Sequence, residues 1–170
     1  MLKPIYHSFI LSILLLFFSC STFQFQHDQS SSQVEHSQNN PLIIGLNETI
    51  KFDNIQEKDI QQATDIVLRE ADLILDEILT VPDSFRTFEN TMLRLDDLYN
   101  IVSNVWSPLG LLSSVSNIEK IREASDLSSL KIQQYYIELI ANESLYQAVL
   151  VYSHTNEAQT LNKSRKRFLE

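Results

Sequence analysis

From Glu57 to Leu79, apolar residues return every three or four positions: Ile60, Ala63, Val67, Ala71, Ile74 and Ile78. That spacing predicts an α-helix. Ile66, Leu68, Leu73, Leu75 and Leu79 fall outside the stripe, so this helix is apolar over more than half its girth and needs cover on more than one side. Pro82 and Asp83-Ser84 break the chain. Thr87 is the expected N-cap of a second helix, with Glu89 favourable in its first turn. Phe88, Met92, Leu95, Tyr99, Val102 and Trp106 step along that helix by fours and threes, and Pro108-Leu109-Gly110 should end it. Ser116 or Asn117 can cap a third helix, running to about Ala141 and carrying Ile118, Ile121, Leu127, Leu130, Ile137 and Ile140. Asn142 should end it. Leu145 to Tyr152 reads as a fourth helix and Glu157 to Glu170 as a fifth. No strand-period segment of any length and no internal repeat occurs. The expectation is an all-α fold, helical hairpins or an irregular bundle of about five helices, spanning residues 41–170. Helices apolar on two sides should also leave an exposed apolar patch, on the first long helix or at Phe168 and Leu169.

Residues 1–19 read as an address. Lys3 gives a small positive region, and Phe9 to Phe18 an apolar one. The apolar run falls short of the ~20 residues of a spanning helix and fits an export signal. The F-F-S-C end resembles a bacterial lipobox, which makes Cys20 the expected lipid-attachment residue and the mature N-terminus. An ordinary cleaved signal with a chance cysteine is the competing reading. Ser21 after the cysteine points, by resemblance to bacterial sorting rules, to the cell envelope and to an outer-membrane anchor facing the periplasm. Residues 20–40 are rich in Gln, Ser, His and Asn. They hold too little apolar surface to fold and read as a tether. His27 and His36 belong to that solvated linker.

Charge and composition narrow the chemistry. The sequence has 13 Lys+Arg against 22 Asp+Glu and a net charge of −9, which argues against charge-driven nucleic-acid binding. Gly45 and Gly110 are its only glycines, too few for most all-β folds or a phosphate-binding loop. One cysteine allows no internal disulfide. No H-E-x-x-H, G-x-S-x-G or C-x-x-C occurs, and His154 is the one histidine after residue 40. Asp96-Asp97 and the Asp72, Asp76, Glu77 group read as solvated helix faces. Tyr135-Tyr136 and Trp106 read as core, and Lys163, Arg165, Lys166 and Arg167 as a basic helix end. No catalytic and no metal-ligating residue is assigned.

Thr87-Phe88-Glu89-Asn90-Thr91, followed by Leu93, Leu95 and Leu98, resembles the N-terminal helical region of the thimet oligopeptidase, oligopeptidase A and dipeptidyl carboxypeptidase family of zinc metallopeptidases. Other pieces line up in order: Phe52 to Ala63, Leu75 to Leu79, Ile121 to Ala124, Asn142 to Val149 and Lys166 to Glu170. The resemblance implies a helical channel wall in an enzyme that cleaves short peptides with Zn²⁺. The family's zinc motif has no counterpart here, so no cofactor is expected in this chain. The expected reading is the N-terminal part of a membrane-anchored oligopeptidase, inert by itself, whose S-R-K-R-F-L-E end would continue into a further helix. A stand-alone helical lipoprotein that binds or scaffolds a partner is the alternative, as is a second polypeptide supplying the catalytic half. The expected partners are the membrane through Cys20, such a catalytic half, or short peptides.

Overall fold

The computed structural model of the protein describes residues 40–45 and 48–169. Cys20, the expected export signal, His27, His36 and nearly all of the expected tether lie outside the described residues, and so does Glu170. Every regular element among the described residues is helical, so the all-α expectation holds. The helices are α1 (Glu57–Thr80), α2 (a π-helical turn Phe88–Leu93 continuing as Arg94–Val115), α3 (Glu119–Ile140), α4 (Glu143–Ser153), α5 (Asn156–Thr160) and α6 (Lys163–Lys166).

Helix α1 begins where its side chains satisfy the free backbone donors. Asp59 accepts the Gln56 N–H at 2.8 Å. Ile55 and Ile60, the positions flanking the cap, are both buried in one cluster, as in a hydrophobic staple. Asn40 donates to the Asp59 carbonyl at 2.9 Å and fixes the preceding segment, where Leu42 is buried, against this end. At the other end Arg86 is buried and donates to the Ile78 carbonyl at 3.1 Å. A cation there suits both an orphan carbonyl and the negative helix end. Asp83 holds the same guanidinium at 3.1 Å.

Helices α1, α2 and α3 pack together pairwise. Glu77 near the end of α1 bonds Arg94 near the start of α2, so these two run antiparallel. Asp65 pairs with Lys131, and the same groove brings Asp72 beside Tyr135 and Glu138 farther along both helices, so α3 runs parallel to α1. Ile60, Ala63, Val67, Ala71 and Ile78 of α1 meet Leu98, Val102, Val105 and Leu109 of α2 in one core. Helix α4 packs on α1 and on the π-helical start of α2. There Phe88, Met92, Tyr152 and Ala158 form a second, smaller cluster.

Four sequence expectations change. Helix α2 runs straight through Pro108 to Val115. Pro108 cannot donate to the carbonyl of Asn104, but Asn104 is exposed, so water can take that bond. Val105, Leu109 and Leu112 meanwhile keep the stripe buried across the proline, and that burial outweighs the lost bond. The buried line of α2 is also rotated: Leu98 and Val105 lie in the core, while Tyr99 and Trp106 sit at its edge. Helix α3 buries a different face from the one expected. Of its predicted stripe only Ile121 is buried; Ala124, Ser125, Ser128, Ile132 and Leu139 make the inner face. Small side chains at three of these positions let neighbouring backbones approach closely, which the bulkier stripe would prevent. Finally, the expected fifth helix is broken at Leu161-Asn162 into α5, α6 and a final 3₁₀ turn. Asn162 starts a new turn by accepting the Arg165 N–H at 3.0 Å. Asn142 likewise caps the start of α4 by accepting the Leu145 N–H at 2.9 Å, and does more than end α3.

Candidate functional site

Ionisable groups gather most densely in an open groove between α1 and α3. Its volume is about 510 Å³, and its lining includes Asp65, Arg69, Asp72, Lys131, Tyr135 and Glu138. The parallel run of the two helices brings these residues together, since Asp65 and Asp72 on α1 stand seven residues apart, as do Lys131 and Glu138 on α3. Lys131 and Asp65 close one end with an exposed ion pair. Tyr135 is half-buried in the lining. Its hydroxyl is shut off from solvent and makes no hydrogen bond of good geometry. Burial first, and then the charge of nearby Asp72, push its pKa well above the usual phenol value, so it stays neutral at physiological pH. The groove can therefore offer a neutral phenol and both signs of charge to a ligand. No histidine or cysteine lines it.

A second groove, about 580 Å³, is more apolar. Phe52, Leu111, Val115, Ile118 and Ile121 line it where α2 turns into α3. An aromatic edge lies where α2 meets α3. Tyr136 stacks on Tyr99 with ring centroids 5.5 Å apart, and Trp106 reaches Tyr136 at 5.4 Å. Tyr135-Tyr136 and Trp106 are thus packed against the core, though only partly buried.

The other residues weighed from sequence are dispersed into structural roles. Glu77 and Asp97 both bind Arg94, Asp97 at 2.8 Å, and their hydrogen bonds raise the guanidinium pKa. Asp96 accepts from Asn100 at 3.1 Å. His154 is exposed at the end of α4, where Nδ1 donates to the Leu150 carbonyl at 2.8 Å. Arg165 pairs with Glu89 at 2.9 Å and lies 4.6 Å over the Phe88 ring. Phe168 meets the same ring edge-on at 5.4 Å.

The start of α2 is held by several hydrogen bonds at once. Thr87 accepts the Asn90 N–H at 3.2 Å while the Asn90 amide oxygen accepts the Thr87 N–H at 2.8 Å. Glu157 of α5 accepts the Phe88 N–H at 3.1 Å. Beneath it the fully buried Tyr152 carries a hydroxyl without a partner, and burial with Glu157 and Glu89 nearby pushes its pKa up to about 12. Sequence reasoning found Thr87 but missed three other residues. Asn90 was legible as the reciprocal partner three residues on. Arg86 and Tyr152 carry no local signal.

No family model matches the chain. The sequence is similar to part of an oligopeptidase A from Haemophilus influenzae, 25% identical over 134 residues, which is 79% of this chain and 19% of that protein. It is also similar to a thimet-like oligopeptidase from Dictyostelium discoideum, 35% identical over 74 residues, or 44% of this chain and 11% of that protein. The chain thus spans a fifth or less of the length of these curated relatives. The two likenesses support the resemblance carried by T-F-E-N-T and its companions.

The zinc that the resemblance implies finds no fit among the described residues. Among the described residues no group of three or more His, Cys, Asp or Glu is placed to hold a metal ion.

Proposed function

We propose that this chain is a helical scaffold segment of an oligopeptidase-like protein, and that it does not hydrolyse peptides by itself. The likeness to oligopeptidase A along 79% of the chain carries this reading. The all-helical fold agrees with it, and so does a sequence without H-E-x-x-H. In this role α1 to α3 form part of a wall that restricts access to short peptides. Zinc chemistry, water activation included, belongs to residues outside this sequence. The test is an assay of the purified chain with added Zn²⁺ on quenched fluorogenic oligopeptides. No turnover above blank is expected, and zinc-dependent cleavage overturns the reading.

We further propose that Cys20 carries a lipid that holds the domain in a bacterial cell envelope, at the outer membrane facing the periplasm. The F-F-S-C sequence supports it. Metabolic labelling with a palmitate analogue should mark the chain and leave Cys20→Ser unmarked; equal labelling of both refutes the anchor. The stand-alone binding module remains as a second reading because α3 presents an uncovered apolar face.

A further inference from the structure

We propose that the start of α2 is a docking site for a segment of another polypeptide that carries an arginine and, three residues on, an aromatic ring, and that residues 161–169 of this chain occupy the site from within. The inference goes beyond the oligopeptidase reading and involves no hydrolysis, so the two fail by different experiments. The internal occupant shows what the site holds. Arg165 lies 4.6 Å over the Phe88 ring and pairs with Glu89 at 2.9 Å. Phe168 meets the same ring edge-on at 5.4 Å. A spacing of three residues puts Arg165 and Phe168 on one side of a helical turn, so both reach one ring. Leu161 and Leu169 pack against the cluster of Phe88, Met92, Tyr152 and Ala158 below.

The occupant is seated lightly. Leu161 and Asn162, which join it to α5, are both extended. Helix α6 has four residues and the turn after it three, too few to be helical in water by themselves. Their order depends on what they rest on. That support is thin, because the Arg165 and Glu89 side chains are 45% and 55% exposed and Phe168 is 43% exposed. An exposed ion pair contributes little. The fit is also incomplete. Tyr152 is fully buried, yet its hydroxyl has no partner. The charges that act on it are those of Glu157, Glu89 and Arg165, so it belongs to this site. Buried hydroxyls in native interiors are normally paired. A cover shaped for this place alone would supply the missing bond, whereas a stand-in for another segment need not. Charge selects the kind of segment. Glu89 and Glu157 stand at the site, and the internal occupant carries Lys163, Arg165, Lys166 and Arg167. The partner is therefore a basic segment whose arginine and ring repeat the two contacts on Phe88.

The test is fluorine NMR of the end-capped peptide K-S-R-K-R-F-L, with para-fluorophenylalanine as its ring, titrated with the full chain. In the wild type the tethered segment competes at an effective concentration in the millimolar range. Arg165→Ala with Phe168→Ala removes that competitor, so the double variant should bind the peptide about tenfold or more tightly than wild type. Phe168→Ala alone should give a smaller gain. Helical circular dichroism should stay intact in both variants, since the two side chains are largely exposed. Adding Glu89→Lys should abolish the gain. A peptide of the same composition, in which no arginine precedes the ring by three, should bind about tenfold more weakly. Equal binding to wild type and double variant overturns the proposal, because the peptide then sits elsewhere. So does a double variant that binds nothing, or equal binding of the rearranged peptide, which would reduce the effect to charge. A wild-type dimer seen by sedimentation and lost in the double variant would overturn it too, and would assign the site to residues 161–169 of a second copy.

Discussion

Helices α1 and α3 have 24 and 22 residues and are both apolar on more than one side, yet the fold treats them differently. Around α1 nearly everything is covered. Ile66 and Leu68 are buried along with the main stripe, Leu75 and Leu79 pack against the core, and Leu73 alone among its large apolar residues is exposed. Helix α3 buries Ala124, Ser125 and Ser128 along with Ile121, Ile132 and Leu139, and leaves Leu127, Leu130, Ile137 and Ile140 outside. The exposed apolar surface expected on α1 is therefore on α3, while Phe168 is exposed as expected although its ring meets Phe88 edge-on. The difference follows from position. Helix α1 touches α2, α3 and α4, whereas α3 has close neighbours only on the side of α1 and α2. Pattern reports how much of a helix can be buried; the number of neighbours decides how much is.

The sharpest test of that contrast is within α3 itself. Ile132 is fully buried on its inner face. Ile132→Ala should cost about 2–5 kcal/mol, the usual range for opening a cavity in a closed core. Urea unfolding measures it, and a cost under about 1 kcal/mol would mean that the inner face is loosely packed.

A smaller loss is expected at the end of α1. Arg86→Ala removes a buried charged donor from the Ile78 carbonyl and leaves the helix end bare. The expected cost is about 1–3 kcal/mol. Arg86→Lys should recover only part of it, because a single ammonium does not reproduce the planar fork that reaches both Ile78 and Asp83. Full recovery by lysine would show that charge alone acts there.

The second cluster responds to alkali. A tyrosine becomes charged when it loses its proton, and the unfolded chain loses it near pH 10. Folded Tyr152 holds its proton to about 12, chiefly because burial disfavours the phenolate. Its contribution to stability is intact below pH 10 and is lost as pH rises from 10 towards 12, where the unfolded state is the better acid. Tyr152→Phe should flatten this alkaline fall. At neutral pH the same change should be nearly neutral or slightly stabilising, since it deletes a hydroxyl with no partner. Denaturant midpoints at pH 7 and across the alkaline range decide it. An unchanged alkaline slope in Tyr152→Phe would leave the fall to Tyr99 and Tyr135, whose pKa values are also raised by burial.

What could be read in advance divides along the same line. The α1 stripe, the Thr87 cap and the all-helical class were legible because local spacing and local hydrogen bonds dictate them. Pro108 was misread as a break: a local rule was overridden by burial of Val105 and Leu109 on either side. The face of α3 was misread because two apolar faces compete, and nothing local says that Ala124, Ser125 and Ser128 suit the tighter contact. The groove around Tyr135 needs α1 and α3 side by side in parallel, a long-range fact. Arg86 reaches back to Ile78 across the break at Pro82, and Glu157 sixty-nine residues back to Phe88; neither contact lies within one helix.

The least disturbance should come from the outer face of α3. Leu130→Ala removes a side chain that is 60% exposed, so little apolar burial is lost within one chain. In a dilute sample the change in unfolding free energy should stay within about 0.5 kcal/mol. Alanine also has the higher helix propensity, which opposes what small loss there is. A loss of about 2 kcal/mol already at high dilution would mean that Leu130 is covered within a single chain. That result would place α3 beside α1 as a fully enclosed helix and remove the difference between them.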